Sequence, residues 1–335
     1  MLRLKAEWEA QKAVMLAFPH EETDWAKAGD LQKSYAPFVR IAQAIAYSQS
    51  VYILCRDKSA ISDLFCSKHN LTFIEMDYND TWTRDYGPLS AESEGKPLLL
   101  DFVFNGWGGK YEASLDNAVN RTLHRKGYFG TTPMRSIDYV LEGGSIESDG
   151  AGTILTTTRC LLNPNRNGET SKEHVETMLS ETMGAKRVLW LDHGYLAGDD
   201  TDGHIDTLAR FCDPETVAYV RCEDPGDEHY EELKRMEEQL KSFRTAEGAP
   251  YRLVPLPMPP AIYDEAGNRL PATYANFLIT NRALLYPTYE SRSTDRRAGE
   301  IFRELFPDRE VIPIPCSRLI TQGGSLHCST MQIDY

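Results

Sequence analysis

Short polar stretches recur along this chain at a nearly regular interval, and this recurrence constrains the fold more than any other feature of the sequence. Most of the stretches contain glycine, each adjoins a strand-like run, and helix-like runs separate them. The intervals are about 55 to 70 residues, which is the mark of a repeat architecture with five units. The five stretches are RDYGP (84–88), LEGGS (141–145), DGHID (202–206), PATYANF (271–277) and GGSLHC (323–328). The alternative explanation is chance spacing of loops in an α/β protein.

Strand-like and helix-like runs alternate throughout, which predicts an α/β fold. The predicted strands are 51–56, 71–76, 187–192, 216–222 and 310–315, and the predicted helices are 57–70, 114–127, 224–245 and 292–307. Asp224 is expected to cap the third helix, with Pro225 in its first turn. The segments 104–112 and 255–264 are rich in glycine and proline and are predicted to be loops. Neither resembles an interdomain linker, so one domain over residues 1–335 is predicted.

The charge balance excludes some classes of function. The chain has 36 lysines and arginines against 50 aspartates and glutamates, a net charge of −14. Nucleic-acid binding needs a basic face, so it is not expected, whereas a cationic small substrate is compatible. No apolar run approaches the roughly 20 residues of a membrane helix, and the N-terminus lacks a signal-peptide pattern. These features predict a soluble cytoplasmic protein that does not bind membranes.

The seven cysteines are odd in number and show no CxxC spacing. A full disulfide framework is therefore excluded, a zinc ribbon is not expected, and most of the thiols are predicted to be buried. Cys328 differs from the others because it follows Gly323 and Gly324, which permit close backbone approach. We interpret it as a candidate nucleophile, against the alternative of an ordinary buried thiol. If SLHCST is a strand, His327 faces away from Cys328, and the catalytic base must come from elsewhere.

His204 is the strongest of the eight histidines as a candidate for catalysis. The spacing His204–Ile205–Asp206 places the two polar side chains on one face if the segment is a strand. Three interpretations compete: a structural histidine, half of an H-x-D metal site, and an acid/base histidine with a partner carboxylate. The metal interpretation is the weakest, because no second cluster of ligands is visible in the sequence.

Two further carboxylates stand beside glycine turns. Asp85 follows Trp82 by three residues, and an aromatic wall near a carboxylate is a good receptor for a cation. Glu142 follows a predicted strand and precedes two glycines. The alternatives are an ion-paired loop for Asp85 and a capped turn for Glu142. One thiol, one histidine and an excess of carboxylates suit a planar, forked cation, and a guanidinium is such a group.

The motifs WTRDYGP, FNGWGGKY, LEGGSIESDG, DDTDGHIDTLARF, PATYANF and GGSLHC, in this order, resemble those of the agmatine deiminases within the Porphyromonas-type peptidylarginine deiminase family. The resemblance extends over nearly the whole chain. It implies the pentein fold, a five-bladed α/β propeller of pseudo-repeats around a central site. It also implies hydrolysis of agmatine to N-carbamoylputrescine and ammonia, a step toward putrescine, with no metal or organic cofactor.

Carried over position by position, the resemblance implies that Cys328 is the nucleophile and His204 the general acid and base. Asp85 and Asp206 match the carboxylates that bind the guanidinium. Glu142 matches a further carboxylate of the site, and the remaining match is an aromatic at Trp82. The family usually reads GGGNIHC and NGHVDN where this chain has GGSLHC and DGHIDT, and the catalytic positions are the same in both.

Other substrates and classes of function remain open at this point. A deiminase of free arginine would need a cation to hold the substrate carboxylate, and a deiminase of peptidyl arginine would need an open groove. A binding protein of the same fold and a metal-dependent hydrolase centred on His204 are more distant alternatives. The sequence also leaves open whether the chain forms a homodimer. The default for Asp199, Asp200 and Asp202 is a solvated acidic turn.

Overall fold

The computed structural model describes residues 2–27, 29 and 31–335. The strands are β1 (Leu2–Leu4), β2 (Ala13–Ala17), β3 (Ser50–Cys55), β4 (Leu71–Glu75), β5 (Leu89–Ser93), β6 (Lys96–Val103), β7 (Met134–Val140), β8 (Ile146–Ser148), β9 (Thr153–Thr157), β10 (Arg187–Leu191), β11 (Ala209–Asp213), β12 (Thr216–Arg221), β13 (Arg252–Pro257), β14 (Leu278–Ile279), β15 (Ala283–Thr288), β16 (Glu310–Pro315) and β17 (Met331–Ile333).

The helices include several single turns. They are α1 (Asp24–Lys27), α2 (Leu31–Ala46), α3 (Lys58–Ile61), α4 (Thr83–Tyr86), α5 (Gly106–Gly109), α6 (Val119–Arg125), α7 (Thr158–Leu161), α8 (Pro164–Asn167), α9 (Lys172–Met183), α10 (Tyr230–Ser242) and α11 (Arg292–Leu305).

Within the described residues the strands form five sheets, with the orders β17-β2-β3-β4, β1-β5-β6-β7, β10-β9-β8, β11-β12-β13 and β14-β15-β16. Each sheet contains the same motif: an antiparallel strand, a central strand and a parallel strand. In every sheet a helix, one of α2, α6, α9, α10 and α11, lies between the central and the parallel strand along the chain. The fold is therefore mixed α/β, and the periodicity of the sequence corresponds to a topological repeat.

The five polar stretches occupy equivalent places in this repeat. Each one directly precedes the antiparallel strand of its sheet, namely β5, β8, β11, β14 or β17. Because that strand runs opposite to the other two, its start lies beside the carboxyl ends of the central and parallel strands. Ligands of α/β sheets bind at that end. The repeat thus places five loops rich in functional side chains at the same end of five sheets.

The central strands carry the core. Every residue of β2 and β9 is buried, as are five of the six residues of β12. The helices bury one face each: in α10, Leu233, Met236 and Leu240 are buried at spacings of three and four residues. The two ends of α9 are fixed by residues with recognisable capping roles. The Ser171 side chain caps its first turn, and Gly184 ends it at φ 74°, a conformation that glycine adopts at little cost.

Several predicted elements differ from the structure. The predicted helix 57–70 is present only as two short turns, α3 and a 3₁₀ turn at Ser62–Leu64, and the chain then enters β4 at Leu71. The predicted helix 224–245 begins only at Tyr230, and Asp224 instead accepts a hydrogen bond from Gly226 in a preceding turn. The segment 114–127 begins as a 3₁₀ turn before α6, and β13 includes the first three residues of the predicted loop 255–264. The other predicted strands and the helix at 292–307 are confirmed to within two residues.

All seven cysteines are free thiols, and all except Cys66 are buried, as predicted. No helix within the described part of the chain combines the length and the apolar character needed to cross a membrane.

Candidate active site

Four of the five polar stretches meet around Gly144. A Cβ atom built on this glycine would lie 2.7 Å from His204 Nδ1, 2.8 Å from Asp85 Oδ1 and 3.2 Å from Asp206 Oδ2. The Gly144 N–H itself donates to Asp85 Oδ1 at 3.0 Å. The fourth stretch contributes Cys328, whose Sγ lies 3.8 Å from Asp206 Oδ2. The structure therefore brings together the thiol, the histidine and both carboxylates that the sequence singled out.

Asp85 is held at a fixed orientation by two donors. It lies on the single turn α4, and its Oδ2 accepts a hydrogen bond from the indole of Trp107 at 2.9 Å. Trp107 has a left-handed backbone (φ 56°, ψ 47°), which is unusual for a large residue and directs its indole toward Asp85. Asp85 is buried, and this burial raises the pKa of its carboxyl to about 6, although His204 acts in the opposite direction.

His204 is buried and has no hydrogen-bond partner at either ring nitrogen. Nδ1 lies 3.6 Å from Asp85 Oδ1, and Nε2 lies 3.9 Å from Glu142 Oε2. Burial lowers the pKa of His204, but the Asp85 carboxylate and the neighbouring Cys160 and Glu142 outweigh burial and raise it well above its usual value. The raised pKa favours the imidazolium form, and its two nitrogens face the carboxylates of Asp85 and Glu142.

Asp206 has one occupied and one unoccupied oxygen. Its Oδ2 accepts hydrogen bonds from His327 Nδ1 at 2.8 Å and from Asn276 Nδ2 at 3.3 Å. Its Oδ1 is buried with no partner. Burial raises the pKa of Asp206, but the hydrogen bond from His327 and the nearby positive charges dominate and lower it. A buried, ionised carboxylate with a free oxygen is a receptor for a cationic N–H donor.

Cys328 lies in a turn and lines a cavity. Its Sγ contacts the side-chain amide of Asn276, with Nδ2 at 3.2 Å and Oδ1 at 3.4 Å. Burial and the carboxylates of Asp206 and Asp85 raise the pKa of the Cys328 thiol well above its usual value. Without a bound cation the sulfur is therefore a neutral thiol at physiological pH.

Glu142 lies behind His204 and is bound by Arg166. The Arg166 Nε lies 2.9 Å from each Glu142 oxygen, and Arg166 also pairs with Asp202 at 2.8 Å and donates to the Thr201 carbonyl. Burial raises the pKa of Glu142, but His204 and Arg166 lower it overall. The residue does not reach the cavity, so its contact in the site is with His204. Asp202, expected by default to be solvated, is part of this network.

The cavity has a volume of about 280 Å³ and is lined at its base by Asp85, His204 and Cys328. Trp82 forms one wall, and Gly324 packs against the face of its ring: a Cβ there would meet three Trp82 carbons at 2.4–2.8 Å. Toward the mouth the lining is acidic, with Asp24, Asp80, Asp199, Asp200 and Asp264. Tyr111 donates a hydrogen bond to Asp200 at 2.8 Å, so this carboxylate, too, is not simply solvated.

Two local conformations differ from those that the sequence analysis assumed. The segment 204–206 is not a strand, because it enters a 3₁₀ turn (Ile205–Thr207) before β11. SLHCST is a turn and not a strand, since β17 begins only at Met331. His327 nevertheless does not contact Cys328, because its imidazole bonds Asp206 and Glu7 instead.

Sequence reasoning missed the residues that support the site, namely Asn276, Trp107, Arg166, Cys160, His327 and Glu7. Asn276 and Trp107 lie in motifs that were noticed, PATYANF and FNGWGGKY, but no argument selected those side chains. Burial of a polar residue is the signal that selects them, and burial is visible only in the structure.

Three side chains of the types that ligate metal ions lie close together. The ligand atoms of Glu142, Cys160 and His204 are all within 4.8 Å of one another. No second cluster of ligands is visible in the sequence, but these three residues, which are distant along the chain, form one in the folded protein. The Arg166 guanidinium already occupies both Glu142 oxygens, and this positive charge disfavours a metal ion beside them.

The comparison with known families agrees with the geometry. The family described as Porphyromonas-type peptidyl-arginine deiminase matches residues 3–333. The chain belongs to this family. Among curated members, a Legionella pneumophila (strain Paris) protein named "Putative agmatine deiminase" is 36% identical over 98% of this chain and 94% of its own.

Solved structures of the family superimpose closely on the chain. One is titled as the "Putative Arginine Deiminase from Porphyromonas gingivalis"; it is 51% identical, has a TM-score of 0.93, and the match covers 98% of this chain and 97% of that one. Another is a cysteine-to-serine variant of the C. jejuni agmatine deiminase with substrate bound. It is 38% identical with a TM-score of 0.93, over 99% of this chain and 96% of that one. These comparisons show the deiminase family and the mixed α/β fold. The names of the two solved relatives refer to different substrates, arginine and agmatine.

Proposed function

We propose that this deiminase hydrolyses agmatine to N-carbamoylputrescine and ammonia through a covalent adduct on Cys328. The observation that carries the proposal is the convergence of Cys328, His204 and Asp85 at the base of one cavity, with Asp206 directly beside them, its Oδ2 3.8 Å from the Cys328 sulfur. The free oxygen of Asp206 and the unpartnered His204 nitrogens are the hydrogen-bonding groups that a guanidinium and its leaving amine would use. Trp82 supplies an aromatic wall for the cation.

The charges in the cavity favour agmatine over arginine. Apart from His204, Arg269 is the one basic residue among the described residues that line the cavity. Its guanidinium is already committed to Asp227, at 2.7 Å and 3.0 Å, and to Glu228 at 3.1 Å. A substrate α-carboxylate would therefore find no available cation and would face the acidic mouth. A terminal ammonium, as in agmatine, matches that charge.

The first half of the reaction follows from these positions. Asp85 and Asp206 hold the guanidinium N–H groups, which orients the central carbon toward Sγ. The bound cation lowers the pKa of the Cys328 thiol, since an opposite charge within a few ångströms shifts a pKa by roughly 1–3 units. The thiol releases its proton to solvent as the cation binds, and the thiolate attacks the guanidinium carbon and forms the C–S bond. His204 then donates its proton to one amino group, the C–N bond breaks, and ammonia leaves.

The second half hydrolyses the adduct. The product of the first half is an S-alkylthiouronium, and His204 is now neutral. It takes a proton from water as the water attacks the same carbon. The C–S bond breaks, and the hydroxyl proton of the adduct passes to the leaving sulfur, so the ureido product forms and Cys328 is a thiol again. His204 keeps the proton that it took from water and is again an imidazolium, which Glu142 supports electrostatically. The proton that the thiol released at the start balances the ammonia, which is an ammonium ion in solution.

We further propose that the five sheets are the blades of one closed propeller in a single domain. Strand β17 at one end of the chain pairs with β2 at the other, and such a pairing would join the last unit to the first. The equivalent positions of the five polar stretches then explain why they meet at a common centre.

Ammonia release tests the proposal when agmatine, free arginine and a blocked arginine peptide are offered in parallel, with C328A as the control. We expect the wild type to release ammonia from agmatine alone and C328A to release none. Release of ammonia only from arginine or the peptide would support deimination as the reaction and contradict agmatine as the substrate. Silence on all three, with Cys328 shown to be reduced, would favour a non-enzymatic binding protein.

A further inference from the structure

His327, the neighbour of Cys328, bridges two buried carboxylates and does not touch the catalytic cavity. Its Nδ1 lies 2.8 Å from Asp206 Oδ2, and its Nε2 lies 2.7 Å from Glu7 Oε2. The side chain lines a second, smaller cavity of about 50 Å³ with Glu7 and Arg84. Of the groups at the candidate site, the His327 side chain contacts Asp206, and an influence of this side chain on catalysis is therefore expected to pass through Asp206.

We propose that His327 is a positioning residue, which occupies one oxygen of Asp206 so that the other oxygen faces the guanidinium of the substrate. The hydrogen bonds of Asp206 support this assignment. Oδ2 accepts from His327 and Asn276, while Oδ1 is buried without a partner. A carboxylate that could rotate would exchange its two oxygens, and the fixed fork needed for a planar cation would be lost.

Glu7 fixes His327 from the other side. Its Oε1 accepts the backbone N–H of Ile279 at 2.7 Å, and its Oε2 accepts from Arg210 at 2.9 Å as well as facing His327. The carboxylate is thus held by the main chain and by a guanidinium, and it has little freedom to move. Burial and the nearby Arg210 lower the pKa of His327, so the imidazole has a single N–H, and the proposal places that proton on Nδ1, facing Asp206. Glu7, His327 and Asp206 thus form a continuous line of buried contacts from the first turn of the protein to Asp206.

Two substitutions separate positioning of Asp206 from general support of the core. The amide of asparagine replaces the Nδ1 group of histidine, so H327N keeps a donor for Asp206 and loses the contact with Glu7. The amide of glutamine replaces the Nε2 group, so H327Q keeps the contact with Glu7 and loses the donor for Asp206. Glutamine is also the closer match in volume. A purely structural role therefore predicts that H327Q is the milder change, whereas the proposal predicts that H327N is.

The experiment compares alkylation of Cys328 by chloroacetamidine and by chloroacetamide in the two variants and in the wild type. The first reagent carries an amidinium fork and the second is its neutral analogue, so the ratio of their rates reports recognition of the fork and cancels changes in thiol reactivity. We expect H327Q to lower this ratio by about 100-fold and H327N to lower it by less than about tenfold. An unchanged ratio in H327Q, or a larger loss in H327N, would overturn the proposal.

The inference rests on the proposed role of Asp206 in binding a guanidinium, but its test does not require agmatine to be the substrate. If the wild type fails to turn over agmatine yet prefers the amidine, the proposed substrate is wrong and the role of His327 is still tested. Circular dichroism and the melting temperature identify a variant that does not fold. In that case H327N with D206N, compared with D206N alone, gives the same answer: the proposal predicts that the two ratios agree, and a further loss on adding H327N would contradict it.

Discussion

The side-chain amide of Asn276 lies against the sulfur of Cys328, with Nδ2 3.2 Å and Oδ1 3.4 Å from Sγ. The same Oδ1 accepts the backbone N–H groups of His327 at 2.8 Å and of Cys328 at 3.3 Å. Asn276 therefore fixes the backbone that carries Cys328. Its Nδ2 group is also a donor beside the sulfur, at 3.2 Å, and a thiolate would use that donor.

The variant N276D tests this donor. Aspartate has the shape of asparagine and still accepts both backbone N–H groups, but it offers no N–H to the sulfur and adds a negative charge beside it. We expect kcat/KM to fall by about 100-fold, in the range for loss of one donor to a developing anion. Steady-state kinetics measure the effect. The control N276A removes the acceptor as well, and activity equal to the wild type in N276D would refute the role.

Gly144 should not tolerate a side chain. The Cβ of G144A would lie within 2.7–3.2 Å of His204, Asp85 and Asp206, so at least two of these groups must move. A displacement of about 1 Å in an active site can cost about 100-fold in rate, and we expect a loss of that size with a nearly unchanged melting temperature. Gly226 provides the control, because it lies outside the left-handed region and its nearest neighbour is 3.3 Å away. We expect G226A to keep wild-type activity. Wild-type activity in G144A as well would contradict the geometry.

The variant D85N should make Cys328 more acidic while it abolishes turnover. The Asp85 carboxylate raises the pKa of the thiol, so removal of its charge lowers that pKa. We expect the neutral reagent chloroacetamide to alkylate D85N faster than the wild type at pH 7. The pH dependence of this alkylation gives the pKa directly. A value in D85N equal to or above that of the wild type would show that the carboxylate does not control the thiol.

Arg166 should contribute much more to stability than a surface arginine. Removing it leaves Glu142 buried and unpaired, and breaking a buried pair in this way costs about 3–5 kcal/mol. We expect R166Q to lower the free energy of unfolding by that amount in urea. R297Q removes an exposed pair with Glu223 and should cost about 1 kcal/mol or less. Equal losses in the two variants would contradict this account of Glu142.

The sequence predicted the reactive side chains of the candidate site better than the residues that hold them. Cys328, His204, Asp85 and Asp206 were selected because reactive side chains beside glycines follow a repeat, and this pattern is local. His327 was set aside on the assumption of a strand, and Asn276 was not selected at all. Their roles depend on contacts across 121 and 52 positions of the chain, to Asp206 and Cys328, which no local pattern encodes.

The fold shows the same division. The strands and the long helices were predicted because hydrophobic periodicity reports them, and the fivefold recurrence reflects the repeated sheet motif. The local conformations at the site were not predicted, and the strand assumed at 204–206 was wrong. The segments at 84–85, 204–206 and 325–330 form turns, because the chain there leaves one sheet and bends before the antiparallel strand of the next. Alternating residues suggested strands, whereas tertiary contacts determined turns.

Covalent catalysis by Cys328 is the central claim, and intact-protein mass spectrometry tests it most directly. H204A retains the nucleophile but lacks both the acid for the leaving ammonia and the base that activates water, so it forms the adduct slowly and hydrolyses it more slowly still. H204A and the wild type are mixed with agmatine in parallel and quenched in acid at times from the first turnover onward. The account predicts a species heavier than the free protein by agmatine less one ammonia, located on the peptide that contains Cys328 and missing in the double variant with C328A. Turnover of agmatine by C328A, or the same adduct on another residue, would contradict the account.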